Sequence, residues 1–263
     1  MKLSIITISF NAEHCIRKTI KSVLNQTEPV YEYIMVDGAS TDKTYKIICS
    51  YEEAFKNRGI KYIHCSEPDK GISDAFNKGI KIATGDLIGI INADDELMPE
   101  TCKILRKYFE KSKAGVFYGN CLWVDTRRRT RYISRPKHDL KKLLYNMILI
   151  HPSTFVRKNI YDKYGVFKIC YKYSMDKELL YRFYLNGVKF QYIDAVLTKY
   201  KSGGVSDQNK LNVYKEGSQI AVCFGEPVIK AKLIEYLKRI RGNVVCILKD
   251  TLVYKIIKRT EKL

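Results

Sequence analysis

The sequence predicts an α/β protein built on a mostly parallel sheet flanked by helices. Three observations carry that reading. Apolar, β-branched runs recur through the first 95 residues, each is followed by apolar positions at helical spacing, and each ends in a short polar loop bearing glycine or acid. Repeated strand–helix alternation of this kind is the pattern of a doubly wound parallel sheet.

Lys2 to Asn11 begins as a β-branched run, and Asn11-Ala12-Glu13 then opens the helical pattern Ile16, Ile20, Val23, Leu24. Tyr33-Ile34-Met35-Val36 is the second strand, closed by Asp37-Gly38-Ala39-Ser40-Thr41-Asp42, with a helix predicted over 44–55. Ser40 or Thr41 is read as the cap of that helix. Ile60 to Cys65 is a third strand and Ile72 to Ala83 a third helix. Gly85 and Asp86 then turn the chain into Leu87-Ile88-Gly89-Ile90-Ile91, a strand buried on both faces. Further on, Pro99 to Lys111 reads as helix, and Val116–Val124 with Thr130–Ile133 as a strand pair around the basic turn at 126–129. Leu140–Leu149 reads as helix, His151–Val156 as extended, Ser174–Leu185 as helix, and Gln191–Tyr200 as a last strand before a Gly203-Gly204 loop. From about Val228, apolar residues at helical spacing are interleaved with Lys and Arg, and Gly242-Asn243 marks a break between two short amphipathic helices.

At 263 residues the chain can bury a sizeable core. Its eight cysteines contain no C-x-x-C pair, so their spacing points to neither a zinc site nor a disulfide framework, and they read as reduced thiols. No signal-peptide pattern precedes the first strand, and no segment reads as a membrane span, so a cytoplasmic protein is expected. Forty-seven Lys and Arg against 28 Asp and Glu give a formal charge of +19, which favours an anionic partner: nucleic acid, an anionic bilayer or a phosphorylated substrate. A lysine-rich surface with no partner gives the same count.

The last strand of the first half runs into Asn92-Ala93-Asp94-Asp95. Open α/β sheets place ligands at this end of their strands, and adjacent carboxylates repel unless a cation lies near them. The pair therefore reads as a site for a hard, oxygen-liganded divalent ion such as Mn²⁺ or Mg²⁺. The same residues would also serve as a cap for the helix that Pro99 introduces.

Ser9-Phe10-Asn11, the Asp37-to-Asp42 loop, Glu67-Pro68-Asp69-Lys70-Gly71 with Asp74, Asn77 and Gly79, the acids at 94 and 95, Asp176 and the Gly203-Gly204-Val205-Ser206 loop fall at successive strand ends. Together they resemble the family 2 glycosyltransferases of the GT-A fold, a Rossmann-like fold of nucleotide-diphospho-sugar transferases. The match is to the bacterial branch that builds O-antigen and capsular polysaccharide, and it covers about residues 2–207. It implies a transferase domain over 1–225, with a nucleotide-sugar half to about 95 and an acceptor half over 96–207, followed by a basic helical extension over 226–263. It also implies inverting transfer of a hexosyl unit, from a UDP-linked donor, to an acceptor saccharide carried on a polyprenyl diphosphate at the inner membrane face.

For individual residues, the resemblance implies that Asp37 contacts the nucleotide, where its carboxylate would accept the imide N–H of uracil while Phe10 offers an apolar face. An Asx-turn role for Asp37 stays open. Ser9, Asn11, Asp69, Lys70, Asp74, Asn92 and Asp94 complete the nucleotide-sugar set, with Lys201 reaching the diphosphate. Position 92 departs from the commoner Asp of the family, which leaves Asp94 and Asp95 as the anionic metal ligands. Asp176 is the expected general base, because a positioned carboxylate can take the acceptor proton as the bond forms. His151 and Arg182 are acceptor-side candidates, Arg182 more as a support for an acid than as a contact. The segment from Arg127 to Lys142 and the C-terminal helices would suit an anionic bilayer. A nucleic-acid-binding protein and a catalytically silent relative are the competing readings. The first lacks a recognisable module, so no nucleic acid is expected; the second is opposed by the presence of Asp37, Asp94, Asp95 and Asp176.

Overall fold

In the computed structural model, residues 1–125, 129–204 and 208–250 are described, with 243–250 described by backbone alone. Strand β1 (Leu3–Ser9) lies at the centre of the first half and is buried over most of its length. It pairs in parallel with β2 (Glu32–Asp37) on one side and β4 (Leu87–Asn92) on the other, and β2 pairs in parallel with β3 (Lys61–Ser66). The registers Ser9↔Asp37, Asp37↔Ser66 and Ile8↔Asn92 bring the carboxyl ends of these four strands to one level. The chain winds outward from β1 in both directions, so the crevice between β1 and β4 is the switch point at which such sheets hold ligands.

The helices fall where the apolar spacing puts them. Helix α1 (Ile16–Leu24) buries Ile16, Ile20 and Val23. The helix expected over 44–55 is two: α2 (Thr44–Cys49) and α3 (Glu52–Asn57). At the junction the Tyr51 amide donates to the Ile48 carbonyl in a tightened turn, and the Ser50 hydroxyl donates to the Ile47 carbonyl. Helix α4 (Ile72–Ile82) lies on β1 so closely that a Cβ at Gly79 would sit 2.5 Å from Ile6 Cγ2.

The second half adds β5 (Glu96–Leu97), α5 (Thr101–Lys111), β6 (Val116–Asp125), β7 (Thr130–Ser134), β8 (Thr154–Arg157), α6 (Lys158–Tyr164), α7 (Met175–Leu185) and β9 (Phe190–Lys201). The sheet order is β3-β2-β1-β4-β8-β6-β9-β5, with β7 paired to β6. Here the sheet turns mixed: β8 is antiparallel to both β4 and β6, whereas β9 is parallel to β6. Residues 140–144 form only a short 3₁₀ turn in place of the predicted ten-residue helix, and a 3₁₀ turn at His151–Ser153 precedes β8. Of the basic turn at 126–129, only Arg129 lies within the described residues.

Contacts divide the chain into two compact units, 1–204 and 205–263. The second holds α8 (Lys210–Cys223), which the sequence places with the first 225 residues, and α9 (Val228–Asp250). Helix α9 runs unbroken through Gly242-Asn243, contrary to the expected break. An isolated glycine is tolerated inside a helix at about 1 kcal/mol, and at 242 its missing side chain lets the Tyr214 hydroxyl of α8 approach.

Candidate active site

The loops after β1 and β2 are laced together. Asn11, at φ 48°, accepts the Thr41 amide on its side-chain oxygen and donates its own amide to Ser40 Oγ. The Ala12 amide donates to Thr44 Oγ1, the Glu13 amide to Asp42, and the Lys43 amide to the Glu13 carboxylate. Asp42, not Ser40 or Thr41, receives the amide of Thr44 at the start of α2, so the expected cap is displaced by two residues or fewer.

Asp37 is fully buried. Its Oδ1 accepts the hydroxyls of Ser9 and Ser40, and its Oδ2 accepts the Ser40 amide and the Ser66 hydroxyl at 2.7 Å. Two carboxylate oxygens offer about four acceptor positions, and the protein fills all of them. Asp37 thus ties together the ends of β1, β2 and β3 and the loop at Ser40. Ser66 takes part through a register that the sequence alone does not signal. Phe10, by contrast, is 65% exposed beside this knot.

The carboxylate that does approach from the third strand end is Asp69. A Cβ at Gly38 would lie 2.6 Å from Asp69 Oδ2, so only glycine admits this contact, and Asp69 Oδ1 accepts the Gly71 amide. Asp74 accepts the Lys70 amide, and the Lys70 side chain stands in an exposed turn. Asn77 fixes the far side of α4 by bonding both the amide and the carbonyl of Phe167, while the Ser73 hydroxyl reaches the Tyr171 carbonyl.

At the end of β4, β5 stands between the acids and α5, so neither Asp94 nor Asp95 caps that helix. Asp95 is fully buried; it accepts Asn92 Nδ2 at 2.9 Å and the Lys201 amide at 3.3 Å. Burial, and then the neighbouring Asp94 carboxylate, push Asp95 up to about 8. Burial also raises Asp94, which remains partly exposed, while Lys201 and His14 act against that rise. His14 went unread in the sequence because nothing in its spacing ties it to the acids. Asn92 donates to Asp95 and fixes its carboxylate. A hard divalent cation fits this set: one accessible carboxylate beside a buried second carboxylate whose charge burial opposes. Lys201 belongs to the same cluster, and the loop segment 205–207 beyond it lies outside the described residues.

Asp176, in the first turn of α7, lines a small cavity with His151, Ile90, Phe167 and Leu180. Ile90 precedes Asn92 by two positions on β4, so this cavity abuts the strand that carries the acids. His151 packs against Phe76 and Phe167, and burial lowers its pKa while Asp176 opposes that. Arg182 does not join them. Its guanidinium binds Glu178 through two nitrogens and the carbonyls of Tyr164 and Val166, and Glu178, 1% exposed, also meets Lys168 at 3.0 Å. Arg182 thus ties α7 to the segment at Tyr164–Val166.

A curled, mostly parallel sheet flanked by helices, with loops converging on an acidic strand end, is the GT-A fold of nucleotide-sugar transferases. The chain belongs to glycosyl transferase family 2, whose model matches residues 4–177. A PGL/p-HBAD biosynthesis glycosyltransferase of Mycobacterium bovis is 26% identical over 208 residues, 78% of each chain. A putative teichuronic acid biosynthesis glycosyltransferase of Bacillus subtilis, TuaG, is 35% identical over 121 residues, covering 46% of this chain and 47% of that one. Among solved structures, S. aureus TarS in complex with UDP superposes with a TM-score of 0.66 at 20% identity, over 89% of this chain and 70% of that one. A mannosyltransferase from Pyrobaculum calidifontis, in complex with GDP-Man and Mn²⁺, gives 0.67 at 15% identity over 99% and 79%.

Proposed function

We propose that this glycosyltransferase moves a hexosyl unit from a UDP-sugar to a hydroxyl of a lipid-linked saccharide in surface-polysaccharide assembly, with inversion. The observation that carries the reading is the placement of Asp176 in a cavity lined by Ile90 of β4, the strand that leads into Asp94 and Asp95. In-line displacement needs a base and an anion-handling centre held on opposite sides of the reacting carbon, and α7 and the end of β4 would supply them. Asp176 would take the proton of the acceptor hydroxyl as its oxygen attacks the anomeric carbon, and the bond to the nucleotide diphosphate breaks on the opposite side. An α-linked donor would then yield a β-glycoside. Asp94, backed by Asp95, would hold Mn²⁺ or Mg²⁺, which when bound supplies charge stabilisation to the diphosphate. Lys201 would add a cation on the same side. Phe10 would cover the base, and Asp69, drawn in beside Gly38, is the better placed acid for the nucleoside now that Asp37 is enclosed.

The acceptor class rests on the relatives named for PGL/p-HBAD and teichuronic acid biosynthesis. Among the described residues no helix is long and apolar enough to cross a membrane. Surface association would instead use α9, where Ile229, Leu233, Tyr236, Leu237 and Ile240 are exposed at helical spacing among Lys and Arg.

Calorimetric titration with UDP and with GDP, each with and without Mn²⁺, tests the donor site. Metal-dependent UDP binding that is lost in Asp94→Ala is expected. Preference for GDP would replace the donor, and tight oligonucleotide binding without a nucleotide response would overturn the transferase site altogether.

A further inference from the structure

At the opposite edge of the sheet from the second half, three strands away from β4, lies a cluster that glycosyl transfer does not use. Cys49 closes α2, Glu52 opens α3 and His64 lies on edge strand β3; their ligand atoms all fall within 4.8 Å of one another. His64 Nε2 is 2.8 Å from Glu52 Oε1. The Tyr45 hydroxyl lies 3.2 Å from His64 Nδ1, the ring nitrogen that faces away from Glu52.

We propose that Cys49, Glu52 and His64 form a zinc site with an open fourth position. The ligand chemistry is thiolate, imidazole and carboxylate, a set that favours a borderline-soft ion and separates this site from the all-oxygen centre at Asp94. In tetrahedral zinc, bonds of about 2.0–2.3 Å put ligand atoms about 3.3–3.6 Å apart. The ligand atoms lie within 4.8 Å of one another, so closing on an ion asks for side-chain rotation and no backbone rearrangement. Tyr45 arranges the protonation that zinc needs. With zinc on Nε2, its hydroxyl would accept from His64 Nδ1–H and fix the imidazole in that tautomer.

The scaffold is already rigid. The Tyr62 ring stacks on Phe55 at 4.4 Å, and its hydroxyl donates to the Ile48 carbonyl beside Cys49. The kink at Ser50-Tyr51 that divides α2 from α3 is what turns Cys49 and Glu52 to the same side as His64. A cysteine count cannot find such a site, because its ligands are of three types and come from three elements.

The test uses the full chain stripped of metal, titrated with Zn²⁺ against a chromophoric chelator and, in parallel, with Co²⁺. One equivalent of zinc and a near-ultraviolet thiolate-to-cobalt band are expected. The band is expected to vanish in Cys49→Ser and to persist in Asp94→Ala, and Tyr45→Phe is expected to bind zinc about tenfold more weakly. Glu52 is exposed, so Glu52→Gln probes the ligand set without threatening the fold; at least tenfold weaker binding is expected. Failure of the wild type to bind zinc, a band that survives in Cys49→Ser, or Glu52→Gln binding as tightly as wild type would each overturn the site.

Discussion

Asp176 and Glu178 stand two positions apart on α7 and meet opposite environments. Asp176 opens into a cavity, whereas Glu178 is buried between Arg182 and Lys168. Asp176→Asn is expected to lower kcat by about 10²–10⁴-fold, the usual worth of a general base, with UDP affinity unchanged by calorimetry. Glu178→Gln is expected to act on stability, at about 3 kcal/mol in denaturant unfolding, because it removes the buried charge that partly exposed Arg182 and Lys168 both meet. If the losses were exchanged between these two variants, the base would have been placed on the wrong acid. Glu32 supplies a pH test. Burial pushes this carboxyl up, but the amide and hydroxyl of Thr84 and the hydroxyl of Ser4 outweigh it and hold the group below its ordinary range. Its folded pKa is therefore the lower one, and the stability it contributes is present above about pH 4.5 and lost as pH falls through the folded value. Glu32→Gln is expected to flatten the acid limb of the stability profile, read as unfolding free energy between about pH 5 and 3.

Among the elements, α4 seats on β1 through one missing side chain. Gly79→Ala would drive a methyl into Ile6, and a loss of about 1–3 kcal/mol is expected from the unfolding midpoint, with the far-ultraviolet spectrum unchanged. Elements governed by local pattern were legible in the sequence: the four parallel strands, α1, α4 and the acids after Leu87–Ile91 all follow from apolar spacing and strand-end position. What was not legible depended on partners distant in the chain. The enclosure of Asp37 needs Ser66 to arrive in register from β3, and the antiparallel β8 is placed by pairing with β4 and β6 that no local period encodes. The division of α2 from α3 turns on one tightened turn at Tyr51, below the resolution of a helical pattern that continues through it. The acid that Arg182 meets, Glu178, is an i, i+4 neighbour on the same helix, a local pairing that the sequence reading did not name.

For the molecule as a whole, positive charge and an exposed apolar stripe coincide on α9. The full chain is expected to sediment with vesicles containing anionic lipid at low salt and to dissociate as salt is raised, each near-surface cation contributing about 1 kcal/mol. Ile229→Asp with Leu233→Asp should weaken this binding while leaving UDP affinity intact; equal binding by wild type and the double variant would remove α9 from the interface.

The interlaced loops after β1 and β2 bear on how such enzymes can be altered. Asn11, Ala12 and Glu13 each bond across to residues between Ser40 and Thr44, so neither loop holds its shape without the other. A chimera that imports one of them from a relative with different donor preference inherits unmet amides and an unsupported left-handed Asn11. Exchanged as a pair, the same two segments carry their own scaffold with them, and this makes residues 9–15 and 37–44 one transplantable module and not two.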